Sequence, residues 1–143
     1  MNTTLRIRSI ANFLRFLAIC ELLIFSITFM PESWLASFHA WLGLGHVPSS
    51  VFLRYILRGA TLCQGAIAAT LWIMAPDVAR YRPLVIATAV APIAASPSFY
   101  VIDTLSGMPL AARIWDCTAC FLAGVTLLML CLWPSPSTTP QRI

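Results

Sequence analysis

Residues 10–30 read IANFLRFLAICELLIFSITFM, an apolar run with only two charged side chains. A helix needs about 20 residues to cross a hydrocarbon core about 30 Å thick, and this run has that length. Three more apolar stretches follow at residues 53–75, 84–102 and 112–133, and the few charges fall mostly at their ends. The pattern predicts an all-α integral membrane four-helix bundle, which forms a single domain over residues 1–133.

The composition favours lipid over water as the surroundings of these helices. Hydrophobic residues make up 59% of the 143-residue chain and charged residues 10%, whereas soluble proteins average about 45–50% and about 25%. All nine basic residues are arginines, spread along the chain, and the net charge is +4. Because no basic cluster is interleaved with aromatic residues, nucleic acid is not an expected partner.

The first apolar run is predicted to be retained as a helix. It is longer than the core of a usual signal peptide, and no small-x-small cleavage site follows it. The five cysteines all lie inside the predicted spans, which is not the pattern of a secreted disulfide framework.

The arginines predict how the bundle is oriented. Six fall on the side of the N-terminus and three on the opposite side. The six are Arg6, Arg8, Arg15, Arg80, Arg82 and Arg142, and the three are Arg54, Arg58 and Arg113. The positive-inside rule then places both termini and the connection 76–83 in the cytoplasm.

The longest connection, residues 31–51, is predicted to contain a short amphipathic helix. Large apolar side chains recur there at three- and four-residue spacing: Trp34, Leu35, Phe38, Trp41 and Leu42. Because tryptophan favours the headgroup region, we expect an interfacial helix on the outer surface, closed by Gly43 and Gly45. Residues 134–143, rich in proline, serine and threonine, are predicted to be a disordered cytoplasmic tail.

Small residues at four-residue spacing predict where the spans pack closely. In the second span these residues are Thr61, Gly65 and Ala69, and in the third span they are Ala87, Ala91 and Ala95. Such spacing lets helix backbones approach each other in lipid.

Glu21 is the most conspicuous candidate site residue. It lies near the middle of the first span, where an ionised acid costs about 2.5–3.5 kcal/mol on insertion scales. One interpretation is a carboxylate that exchanges protons or binds a ligand. The other, which we favour from sequence, is a structural hydrogen bond to Gln64, which depth counting places at about the same level.

A second group of charges is predicted near the outer boundary. Arg58 and Asp116 each lie about four residues into their spans, and their depths match because the two spans run in opposite directions. With Arg54, Arg113 and Asp103 they are candidates for a network of alternating charge. The alternative is that these side chains snorkel or pair to seal helix ends.

Cys117-Thr-Ala-Cys120 has the spacing of a redox-active dithiol. Near the start of a helix such a pair gains reactivity, because the helix N-terminus favours the thiolate. The pair resembles that of membrane thiol–quinone oxidoreductases of the vitamin K epoxide reductase class. This chain departs from that class because its first outer loop has no cysteine pair to relay electrons. The alternative is that both cysteines serve as small hydrophobic residues.

Four segments resemble four-span bacterial membrane proteins grouped loosely near the DoxX-like families. They are Met30-Pro-Glu-Ser-Trp34, His39-Ala-Trp-Leu-Gly-Leu-Gly45, Arg80-Tyr-Arg-Pro-Leu84 and Ile102-Asp-Thr-Leu-Ser-Gly-Met-Pro109. The resemblance covers the connections and most span boundaries. It implies a bundle in the bacterial inner membrane and transfers no catalytic residue.

These observations lead us to expect a non-enzymatic membrane protein that binds a lipidic or small apolar ligand, or serves as a subunit of an assembly or homo-oligomer. No catalytic residue, metal site or cofactor is indicated. A second hypothesis is a proton-coupled carrier using Glu21, since a lone acid in the first of four spans resembles the small multidrug resistance transporters. A third is a thiol–quinone oxidoreductase using Cys117 and Cys120.

Overall fold

The computed structural model of the chain describes residues 3–43, 45 and 50–133. This part contains five α-helices and no strand: α1 Thr3–Ser26, α2 Glu32–Trp41, α3 Val51–Met74, α4 Arg82–Leu105 and α5 Leu110–Leu132. Short 3-10 turns at Ile27–Phe29 and Ala75–Asp77 extend α1 and α3. The predicted tail, residues 134–143, lies outside the described residues.

Four of the helices are long and apolar enough to cross a membrane, as the sequence predicts. The candidate spans are Thr3–Phe29, Arg54–Asp77, Arg82–Leu105 and Leu110–Leu132. Only 17–22% of the most apolar window of each span is buried inside the protein. The remaining apolar surface is far more than water tolerates on a soluble protein.

The predicted helix in the longest connection is present as α2, and its boundaries have local causes. Glu32 lies in its first turn, where a carboxylate interacts favourably with the helix dipole. Gly43 follows α2 with a φ of +72°, a conformation that glycine adopts without steric cost. At the next span boundary, Pro83 lies in the first turn of α4, where its missing N–H removes no hydrogen bond.

The first helix pair is α1 with α3, which pack against each other closely. The hydroxyls of Thr28 and Thr61 hydrogen-bond at 2.8 Å across this contact. A Cβ added to Gly65 would lie 2.7 Å from a ring carbon of Phe25, so the glycine makes room for that ring. Two residues of the predicted stripe in α3 thus face the partner helix, whereas the third, Ala69, is exposed.

The second helix pair is α4 with α5, which form the most extensive contact of the bundle. Gly124 is its point of closest approach, because a Cβ there would lie 2.5 Å from the carbonyl oxygen of Ala89. The predicted stripe on α4 is wrong, since Ala87 and Ala91 are exposed. An alanine-rich helix carries several stripes with the same spacing, and spacing alone does not select the one that faces a neighbour.

The two pairs meet through a core located in one half of the bundle. We call the half that contains Thr3 and Trp133 the termini half, and the opposite one the α2 half. The termini half holds the packed apolar core: Ile10, Ala11, Leu14, Ala18, Leu71, Met74, Ala75, Val78, Val85, Ala89, Leu127 and Cys131. In the described part of the α2 half, the buried side chains are Ala68, at the level where the core ends, and the polar Thr61, Ser96 and Asp103.

Candidate functional site

Helix register places Glu21 away from its predicted partner. Thr28 lies beside Thr61, and Phe25 lies over Gly65. Because α1 and α3 are antiparallel, one further turn brings Glu21 opposite Ala68, while Gln64 lies at the level of Phe25. No hydrogen bond joins Glu21 to Gln64 among the described residues, so the predicted structural partner is wrong.

The carboxylate of Glu21 instead lies near α5. Its Oε2 atom is buried and has no hydrogen-bond partner within the described residues. Helix α1 also contacts α5, and Glu21 lies one turn beyond Ala18, the last core residue of α1. Glu21 thus lies at the seam between the two helix pairs, where the apolar core ends.

The face of α5 near this seam also carries Cys117, which contacts α4. The Ser96 hydroxyl donates to the Cys117 carbonyl oxygen at 3.1 Å, and the Cys117 thiol lies 3.1 Å from the same hydroxyl. Ser96 is buried, and no pattern in the sequence marks it as a site residue. Serine is common in apolar helices, so only its position opposite Cys117 reveals its role.

Cys117 and Cys120 lie too far inside α5 for the helix N-terminus to favour their thiolates, which was the reason to expect a reactive dithiol. Helix α5 begins at Leu110, so Cys117 lies two turns inside it. The favourable effect of a helix N-terminus falls off within the first turn. Both cysteines are free thiols, and neither is paired with the other.

The predicted network of alternating charge is not brought together. Arg54 forms an ion pair with Glu32 and thereby ties α2 to the start of α3. Arg58 and Asp116 are both exposed, and no ion pair joins them within the described part of the chain. The two residues lie at similar depths, as predicted from the opposite directions of their helices. Their side chains, however, are on faces of α3 and α5 that do not meet.

Asp103 and Arg113 lie near the α4–α5 turn without pairing. The Arg113 guanidinium donates from Nε to the carbonyl oxygen of Met108, and therefore stabilises the turn itself. Asp103 is buried, and its Oδ2 atom has no partner among the described residues. The α2 half thus contains a second buried carboxylate oxygen without a hydrogen bond.

Two cavities lie away from these carboxylates. One, of about 280 Å³, is at the termini end and is lined by Arg6 and Arg82 together with apolar side chains. The other is an open apolar groove of about 260 Å³ between α3 and α4, lined in part by Thr70 and Thr88. Neither Glu21 nor Arg58 lines either of these two cavities.

A metal centre is not evident in the described residues, where no three His, Cys, Asp or Glu side chains come together to hold an ion. No family model matches the chain, and no curated protein or solved structure is similar enough to count as a relative. Function must therefore be inferred from the geometry of the site.

Proposed function

We propose that this protein is an integral membrane protein that binds a lipidic or small apolar ligand between its two helix pairs. The observation that carries the proposal is the buried Oε2 of Glu21 without a hydrogen-bond partner in the described structure. Buried polar atoms in native proteins are nearly always paired, and an unpaired one calls for a specific reason. A polar group of a bound ligand supplies that reason.

The surroundings of Glu21 define the chemistry of the ligand. The seam is bordered by the termini-half core on one side and by the polar Ser96–Cys117 contact on the other. A molecule with an apolar body and one hydrogen-bonding group matches both. Most ligand sites combine apolar walls with a few polar groups in this way.

The position of the core favours a binder over the alternative of a proton-coupled carrier. A carrier needs access to Glu21 from both faces of the membrane in turn. Buried side chains such as Leu14 and Leu127 fill the termini half next to Glu21. A carrier would have to open this packed core in each cycle, whereas a one-sided binder leaves it intact.

The binding test compares two glutamates of the same chain. Native mass spectrometry is performed on protein extracted in mild detergent with its co-extracted lipids. We expect a specific small-molecule adduct on the wild type, its loss in Glu21→Leu, and its retention in Glu32→Leu, since Glu32 is an exposed residue of α2. Loss in both variants, or in neither, would contradict a site at Glu21.

A transport measurement separates the carrier hypothesis from the binder. Proteoliposomes with an imposed proton gradient are compared for the wild type and Glu21→Gln. We expect no proton-coupled uptake by either. Uptake by the wild type that Glu21→Gln abolishes would replace the binder with a carrier.

We further propose that α2 lies in the headgroup layer on the outer side of a bacterial inner membrane, with both termini in the cytoplasm. The side chains of Trp34 and Trp41 are 68% and 78% exposed, and aromatic residues of this kind favour the membrane interface. The excess of arginines at the termini end supports the orientation.

Cysteine labelling tests this orientation. The five native cysteines are replaced, and a single cysteine is introduced at Asp77, in the α3–α4 connection. We expect it to react with a membrane-impermeant reagent only after the cells are opened. Reaction in intact spheroplasts would reverse the orientation.

A further inference from the structure

The cavity at the termini end combines two guanidinium groups with an apolar wall. Arg6 approaches it from α1 and Arg82 from the start of α4, while Ile10, Val85 and Cys131 form part of its apolar lining. Its volume of about 280 Å³ is just below the range of about 300–1,000 Å³ that is typical for whole small-molecule ligands. It therefore suits a compact charged group better than an entire drug-sized molecule.

The two arginines are available to an anion. Arg6 donates from Nη1 to the carbonyl oxygen of Trp133 at 2.7 Å, which holds its guanidinium at the cavity and leaves other N–H groups to donate. Arg82 forms no hydrogen bond or ion pair within the described residues. The acidic side chain of the same connection, Asp77, accepts the backbone N–H of Arg80 at 3.1 Å. Within the described part of the chain, Asp77 forms no ion pair with Arg6 or Arg82.

The position of the cavity along the spans indicates where the anion comes from. The third candidate span begins at Arg82 and the fourth ends at Leu132. In a membrane this level is that of the lipid headgroups, and the apolar lining faces the acyl chains. The first turn of α4 has no side-chain cap among the described residues, and the positive end of its helix dipole, at Arg82, lies at the cavity.

We propose that this cavity binds the phosphate group of an anionic lipid, with Arg6 and Arg82 as the phosphate ligands. Guanidinium groups form charge-assisted hydrogen bonds with phosphate and are frequently bidentate. Basic pockets between membrane helices are recognised sites for acidic lipid headgroups. The proposal is independent of Glu21 and of the seam between the helix pairs.

The test measures lipid binding by the full chain in detergent, using native mass spectrometry and thermal unfolding with added lipids. Phosphatidylglycerol is the anionic probe, phosphatidylcholine the zwitterionic one and inorganic phosphate the free anion. We expect phosphatidylglycerol to bind and raise the unfolding temperature, and the other two to have little effect. Arg82→Gln should weaken phosphatidylglycerol binding about tenfold, as expected for the loss of one charge-assisted hydrogen bond.

Arg80→Gln is the matched control, because Arg80 lies in the same connection over the ring of Tyr81 and does not line the cavity. It should bind phosphatidylglycerol as the wild type does. Arg82→Lys keeps the charge and should bind more tightly than Arg82→Gln, even if both unfold at a lower temperature. Equal weakening by Arg80→Gln and Arg82→Gln, or equal binding of phosphatidylcholine, would overturn the proposal. Equal stabilisation by inorganic phosphate would replace the lipid with a free anion.

Discussion

The termini half and the α2 half of the bundle are built from the same four helices but differ in the kind of side chain that they bury. The termini half is filled by apolar side chains from all four long helices, with Leu14 fully buried among them. The α2 half buries polar side chains instead, and two carboxylate oxygens there, on Glu21 and Asp103, have no partner in the described structure. One half is a packed apolar core, and the other leaves buried polar atoms without a hydrogen bond in the described structure.

This difference predicts how substitutions in the two halves change the stability of the protein. A packed core loses contact energy wherever an atom is removed. A buried polar group without a hydrogen-bond partner costs free energy, so replacing it by an apolar side chain of similar size stabilises the protein. Truncating a core side chain of the termini half and replacing an unpaired carboxylate of the α2 half are therefore expected to change stability in opposite directions.

The largest effect is expected in the termini half. Leu14→Ala should lower the free energy of unfolding by about 2–5 kcal/mol, because it removes buried atoms and leaves a cavity. The measurement is unfolding by SDS titration in mixed micelles. Leu23→Ala is the control, since Leu23 lies on the same helix and is 66% exposed. Equal losses from both variants would mean that the core does not hold the pairs together.

The next effect tests the contact between α4 and α5, close to the border of the two halves. Gly124→Ala should destabilise by about 1–3 kcal/mol, since its Cβ meets the backbone oxygen of Ala89, which moves only with its helix. Gly65→Ala should cost less, because Phe25 can rotate its ring away. Gly59→Ala, with open space around its Cβ position, is the control that reports the gain in helix propensity without a clash. A tolerated Gly124→Ala would show that the two helices are farther apart.

The α2 half should respond with the opposite sign. Glu21→Leu in delipidated protein should raise the free energy of unfolding by at least about 1 kcal/mol, because it removes a buried carboxylate oxygen without a partner. The same SDS titration provides the measurement. A gain in stability together with the loss of the co-extracted ligand would link the two properties at one residue. A loss of stability would show that Glu21 has a structural partner after all.

The smallest effect concerns two side chains of the α2 half that hydrogen-bond to each other. Thr28 and Thr61 hydrogen-bond to each other, and a double-mutant cycle with Thr28→Val and Thr61→Val should give a coupling of about 0.6 kcal/mol. This value would show that polar contacts in this half contribute little, so that stability resides in the termini half. Purely additive effects would mean that the hydroxyls do not interact.

The sequence predicts the elements of this fold better than their contacts. Four apolar helices and the shorter α2 follow from apolar length, periodicity and the glycine after Leu42, all of which are local properties. The Gly65 contact was also predictable, because a small residue lies at the right spacing. The α4 stripe was not, because the choice among Ala87, Ala89 and Ala91 depends on how α4 turns toward α5.

For the candidate site as well, the sequence predicts a single residue better than its contacts. Glu21 stands out in the sequence because a carboxylate in an apolar span is costly wherever the span packs. Its expected partner Gln64, and the expected network around Arg58 and Asp116, failed because depth counting gives the level of a residue but not its direction. Ser96, which is buried against Cys117, carries no distinguishing local pattern, and the spacing of Cys117 and Cys120 does not predict this contact with α4.

By itself, the sequence determined that this chain forms four apolar helices and that the first of them carries a carboxylate, Glu21, near its middle. Helix length and side-chain transfer energies are properties of each segment alone, so they can be evaluated without the rest of the protein. Only the tertiary structure decided that the core occupies one half, that Glu21 lies one turn away from Gln64, and that Arg6 meets Arg82 at a cavity. Those outcomes depend on how the helices turn about their axes and on their register, which are set by packing among residues distant in the chain.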